Sequence, residues 1–448
     1  MPRRETLIAE LLEDTTRARR RRLHITGAMN FRLLALQTVD DKIDRNLRAM
    51  SVFGQDALQA AEQAIAASNH APTTNALIHV AAACAVQTAA PQDDAVLLAQ
   101  WFERYGAAHR TALRDAWWFY PLDRASAARH PARVAALLRS THEPARTLGI
   151  ELAGRCGMQA CLPLISPIAG AAPDGPLLRA SELALCRLGQ APGDLAARIQ
   201  RRGSGTAEDL LHALRLIAAS GHLDLAQLEG YLRCAQMPHP ALQRLGWCLA
   251  TLCDPVQAHH RAEAHAAMDP GLRLQVLALA GFPHALIAVA REVTSQTGPV
   301  TASQMDALSV LLGDVPMQVR ANDVLPQERE QALRQRVLQV FRDAHIAVSN
   351  NAKTCAWEAT RMPAEPDPAR NRRLRFGRAA RPREDRGCAL QAPVQQLGSL
   401  MRQALYIEQS VQARQPVGAA LSAYASTRHQ MHVIGLSEWL GEAQAAPL

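Results

Sequence analysis

The chain has 448 residues, 48% of them apolar and only 4% aromatic, with a formal net charge of +8. That length and apolar share can bury a sizeable core, while the scarcity of aromatic and β-branched residues beside abundant Ala and Leu disfavours a β-rich protein. Lys42 and Lys353 are the only lysines, so the positive charge is nearly all arginine, a bias that a GC-rich genome produces without any ligand.

The N-terminus, Met1-Pro2-Arg3-Arg4-Glu5, runs into Glu10, Glu13 and Asp14 with no apolar core, which is not the pattern of a secretory signal. No stretch approaches the ~20 clean apolar residues of a membrane span. Nine cysteines without a CxxC pair read as small buried hydrophobes, not as a disulfide framework or a zinc site. The expectation is a cytoplasmic protein without a membrane segment.

A first helix over about Glu5 to Leu23 ends in Arg17, Arg19, Arg20, Arg21 and Arg22, five arginines within six residues. The run fits a contact with nucleic acid or an acidic partner, and it equally fits a solvated helix C-terminus, where cations oppose the dipole. Leu36, Val39, Ile43 and Leu47 then share one helical face and read as core. Helical segments follow at Asn75–Gln87, Ala95–Phe102, Ala107–Phe119 and Ala132–Leu138. Asp115, Trp117, Trp118 and Tyr120 form an aromatic cluster, and Trp117 and Trp118 are candidate anchors for a partner.

The middle of the chain repeats. Gly157, Gly189 and Gly221 stand 32 residues apart, each preceded by an apolar pair: Leu152-Ala153, Ala184-Leu185 and Leu216-Ile217. Eight residues before each glycine is a small residue, Gly149, Ser181 or Ala213; a fourth unit has Asp254 for its glycine and Gly246 as its small residue, and a fifth ends at Gly281. The apolar pairs mark a buried face, the small residue admits a neighbouring helix, and the glycine stops the helix in a left-handed conformation. Second helices are expected at Cys161–Ile168, Leu195–Ile199, Leu223–Leu232, Val256–Ala266 and Leu286–Val293. Two helices per ~30 residues in series is the pattern of an all-α solenoid. Pro131, Pro144, Pro240 and Pro255 fall where first helical turns begin.

His259, His260, Glu263 and His265 are the only His-rich cluster, but HExxH and a third ligand are lacking, so no metal is expected. Phosphate-binding loops and the GxSxG elbow are absent too. From Arg361 to Arg386 nine arginines face four acids, among prolines, in a loop or extended arm rather than a helix. Arg370, Arg372, Arg373, Arg375 and Arg378 there join Arg19–Arg22 as candidate partner contacts.

The repeat units resemble short bacterial HEAT-like repeats. Together with the Leu36–Asp40 helix running into Phe53-Gly54, and Trp357 followed by the Arg- and Gly-containing turn and a final hairpin, they resemble a family of uncharacterised bacterial HEAT-like proteins often encoded beside type VI secretion genes. The first motif of that family is usually glutamate-rich and reads Asp40-Asp41-Lys42 here. The resemblance supplies no catalytic residue and no cofactor. It implies an α-solenoid of degenerate HEAT-like helix pairs. The chain itself reads as 1–70 N-terminal helices, 71–313 repeats, 314–347 helical extension, 348–392 Pro/Arg-rich loop and 393–448 C-terminal helical hairpin cap.

The function expected from this reading is a non-catalytic protein-binding scaffold or adaptor, with a secretion effector or spike component as its partner. The alternative is a nucleic-acid-binding or base-excision protein with an Arg-rich groove, which requires the basic runs to converge.

Overall fold

A computed structural model describes residues 2–27, 33–90, 93–119, 130–155, 157–171, 175–190, 206–265, 268–295, 299–320, 326–343 and, beyond these, 373–375, 378–379, 397–398, 401–402, 404–405 and 407–408. The described residues are helical apart from turns and a minimal antiparallel hairpin, in which Leu374 pairs with Ala379 and Arg375 with Arg378. They form two compact units, one within Met1–Gly193 and one within Asp194–Val417. The boundary falls inside the 71–313 stretch that the sequence presents as one array.

In the first unit, α1 (Pro2–Gly27) pairs with α2 (Leu33–Ser51), and both pack on α4 (Ala71–Thr88), as does α3 (Gln55–Ala67). The chain continues through α5 (Asp94–Tyr105), α6 (Arg110–Phe119), α7 (His130–Arg139), α8 (Glu143–Arg155), α9 (Leu162–Ala171) and α10 (Pro176–Arg187). Helix α6 returns onto α4, α7 packs on α8, and α8 packs on α10. One core cluster runs from Ile8 through Leu47, Ile78, Leu113 and Ile150 to Leu188. The face predicted from Leu36, Val39, Ile43 and Leu47 is buried throughout.

In the second unit, α11 (Ala207–Ser220), α13 (Pro240–Cys253), α15 (Pro270–Ala280) and α17 (Ala302–Leu312) contact one another in series. Between them come α12 (Leu228–Ala235), α14 (Pro255–Ala264) and α16 (Pro283–Ser295), followed by α18 (Met317–Arg320) and α19 (Pro326–Asp343). The second helix expected at Leu195–Ile199 and most of the expected cap hairpin and Pro/Arg-rich loop lie outside the described residues.

Several of the local signals have the physical roles read from them. Gly157, Gly189, Gly221 and Gly281 all have φ between 64° and 76°, the left-handed region that ends a helix cheaply only at glycine. Asp254 ends α13 in an extended conformation instead, and its side chain accepts a hydrogen bond from the Gln257 backbone N–H, so one residue closes α13 and caps α14. A Cβ on Gly149 would lie 2.8 Å from the Leu137 Cβ, and one on Gly246 would lie 2.7 Å from both the Ala235 nitrogen and the Tyr231 oxygen. These small residues are where α7 meets α8 and α12 meets α13. Cys84, Cys161, Cys186, Cys234 and Cys248 are buried thiols outside any disulfide, and burial pushes the Cys84 and Cys248 thiols up to about 12. No described helix is long and apolar enough to cross a membrane.

Candidate functional site

Helix α1 has two working faces. Ile8, Leu12, Thr15, Thr16, Arg19 and Arg22 repeat at helical spacing and are all buried. Arg19, with no exposed surface, donates from Nη2 to Asp115 Oδ2 of α6 at 2.5 Å. Arg22 donates from Nε to Asp40 Oδ1 of α2 at 2.7 Å. Lys42 closes the same α1–α2 pairing at the surface through Asp14, at 3.0 Å. Two arginines of the basic run are therefore built into the core, and only Arg20 and Arg21 of the Arg19–Arg22 set are exposed. The expectation that the run is one solvent-facing cationic patch is corrected in this respect: the stripe begun by Ile8 and Leu12 carries Arg19 and Arg22 inward.

His79 of α4 sits among these charges, its Nδ1 3.2 Å from the Ala112 carbonyl. A carbonyl only accepts, so Nδ1 carries the proton and donates. Burial, reinforced by the Arg19 cation, holds the His79 pKa well below the ordinary imidazole value, so the ring is neutral. Burial alone would raise the Asp115 pKa, but the guanidinium groups of Arg19, Arg114 and Arg22 outweigh it and keep the carboxyl well below the usual range. The result is a buried carboxylate held ionised by its cations.

Trp117 is buried in the same core and is not a surface anchor. The Trp118 side chain lies outside the described residues.

Beside that buried stripe, α1 borders an opening. Between α1 and α3, with α4 as floor, runs a groove of about 1070 Å³. Ile8, Leu12 and Leu77 form its base, and Ala9, Ala60, Ala64 and Ala67 give it smooth walls. Its rim carries Arg4, Arg17 and Arg20 against Glu5, Glu13 and Asp56, three charges of each sign. Arg4 bridges to Asp56 of α3 at 2.6 Å and lies over the Phe53 ring, while Arg17 pairs along α1 with Glu13. Glu5 and Arg20 have no ion-pair partner among the described residues. This groove was not legible in the sequence. The stripe Glu5, Ala9, Glu13, Arg17 reads as an ordinary solvated face until α3 is seen to stop short of it.

In the second unit, Arg373 donates to the Ala280 and Leu279 carbonyls at 2.9 and 2.6 Å and to Glu408 at 2.7 Å, while the Leu374 N–H donates to the Gly281 carbonyl at 2.7 Å. Arg373 thus caps the C-terminal end of α15 and fastens the hairpin and the Glu408 segment to it. Of the other expected basic contacts, Arg370 and Arg372 lie outside the described residues, as do the side chains of Arg375 and Arg378, whose backbones form the hairpin.

His259 is buried with its ring edge-on to Phe282 and its Nε2 3.4 Å from Glu263 Oε1. Among the described residues no group of three His, Cys, Asp or Glu is arranged to hold a metal.

Comparison with known proteins places no relative beside this geometry: no family model, no curated protein and no solved structure matches the chain.

Proposed function

We propose that the chain is a non-catalytic, cytoplasmic protein-binding scaffold or adaptor, built as a solenoid of degenerate HEAT-like helix pairs with a C-terminal helical cap, and that the α1–α3 groove docks its partner. The serial contacts of α11, α13, α15 and α17 support the solenoid reading, because stacked first helices are how such arrays share one core. A role in type VI secretion, with an effector or spike component as client, rests on the family resemblance alone.

The observation that carries the docking assignment is the groove itself, an apolar floor with small-residue walls under a rim of balanced charge. Balanced charge suits a protein segment, which brings both signs, whereas a nucleic acid requires a surplus of cations along its backbone. The burial of Arg19 and Arg22 further weakens the nucleic-acid alternative, since it withdraws two charges from the basic run.

The test compares capture by the full chain and by an Ala9→Trp variant, in which an indole fills the groove from an exposed wall position. The reading expects a distinct protein set that survives moderate salt and nuclease with the wild type and is lost with the variant. Equal capture by both, or nucleic acid alone, lost as salt rises, would refute it.

A further inference from the structure

We propose that the groove between α1 and α3 takes a single amphipathic α-helix of a protein partner, about 15 residues long, with a basic group near the end that meets Glu5 and an acidic group near the end that meets Arg20. This rests on the reading that the groove is the docking site, and it specifies what docks there.

The dimensions suit a helix. Glu5 and Arg20 lie fifteen residues apart on α1, about 22 Å at 1.5 Å per residue. A helix of that length, 10–12 Å across, fills roughly 1,700–2,500 Å³. The groove, about 1070 Å³ and open along one side, therefore receives one face of such a helix, the apolar one, and leaves the polar face in water. Ala9 on one wall and Ala60, Ala64 and Ala67 on the other present no bulk, so a helical ridge can settle onto Ile8, Leu12 and Leu77.

Two other peptide conformations fit less well. An extended strand gains its affinity from an open sheet edge, and the walls here are helices with their backbone groups already paired. A polyproline segment docks on aromatic side chains, and none of the residues lining the groove is aromatic.

The rim charges give the occupant its polarity. Arg4–Asp56 and Arg17–Glu13 satisfy each other. Glu5 and Arg20 remain, opposite in sign and at opposite ends, so a helix with base and acid placed to meet them pairs both, and the reversed helix sets like charges together at each end.

The experiment places a benzophenone amino acid at Ala9 or at Gln63, on opposite walls, in the full chain inside the cells that make it, and maps the cross-linked peptides. The proposal expects both positions to mark one partner segment of about 15 residues. Its cross-linked side chains recur every three or four residues, with a base at one end and an acid at the other. An Arg20→Glu exchange is expected to lower the cross-linked yield ~2- to 5-fold, the range of an exposed ion pair. One partner segment that is Pro-rich, extended or of uniform charge, or a segment of a second copy of this chain, would overturn the helix while leaving the docking site in place. Cross-links to nucleic acid only, or none from either wall, would overturn both.

Discussion

Arg19 and Asp115 meet inside the first unit across 96 residues of sequence, Nη2 to Oδ2 at 2.5 Å, with 0% and 5% of their side chains exposed. The pair ties α1 to α6. A charge pair so deeply buried has lost its hydration, so each partner depends on the other.

Removing one member is therefore expected to cost far more than removing both. Asp115→Leu leaves the Arg19 cation buried without its carboxylate and is expected to destabilise the first unit by about 3–5 kcal/mol. The double exchange Arg19→Met with Asp115→Leu is expected to recover most of that loss. Denaturant unfolding of the wild type, both single variants and the double variant measures the coupling; additive losses would contradict the account.

Acid acts on the same cluster through two groups. The folded-state pKa of Asp115 is depressed, so its stabilisation is present above the ordinary carboxylate range and is lost as pH falls below about 4, where the unfolded chain takes up protons first. The folded-state pKa of His79 is also lowered, so between its folded value and about 6.5 the unfolded chain binds the extra proton, and stability falls as pH drops through that window. The His79 contribution has a slope of at most about 1.4 kcal/mol per pH unit. His79→Gln, which does not titrate, is expected to flatten the profile between pH 6.5 and 5 relative to the wild type; an unchanged slope would show that His79 is not buried as a neutral ring.

Two glycines in neighbouring helices should respond oppositely to the same exchange. Gly230 in α12 is exposed, and a Cβ there meets nothing within 4 Å. Gly230→Ala is expected to stabilise by about 0.5–1 kcal/mol through helix propensity. At Gly246 the added methyl would press on backbone atoms of α12, and overpacking of that kind costs about 1–3 kcal/mol, which offsets the propensity gain and more. Thermal unfolding of the two variants should move the melting temperature in opposite directions.

The helix stops were legible because they are local chemistry. Gly157, Gly189, Gly221 and Gly281 end helices where the sequence places the stops, and Gly149 and Gly246 mark real close approaches. The site was far less legible. Arg19 and Arg22 fall on the helical stripe of Ile8 and Leu12, yet a dense arginine run outweighs that periodicity until Asp115 and Asp40 are found opposite them. Asp115 is distant in sequence, and its neighbour Arg114 gives no sign of a second cation reaching it from α1. Likewise the Arg373 clamp on α15 depends on a contact 93 residues away. The groove is hidden for a related reason: each helix reports its own faces, but which face stays uncovered depends on how its neighbours pack.

Arg373→Ala should test that clamp. It removes charge-assisted hydrogen bonds to two helix-end carbonyls and the ion pair to Glu408, which is 7% exposed. Hydrogen bonds to charged groups contribute about 1.5–3 kcal/mol each, so a loss of several kcal/mol from the second unit is expected in denaturant unfolding. Faster backbone exchange around Gly281 and Leu374 should accompany it.

The central claim is that the α1–α3 groove is where a protein partner docks. The most direct test is hydrogen–deuterium exchange on the full chain, free and in complex with the captured partner. The account predicts slowed exchange along residues 4–20 and 56–67 on binding, with the second unit unchanged. Protection confined to the second unit, with α1 and α3 exchanging as in the free chain, would contradict it.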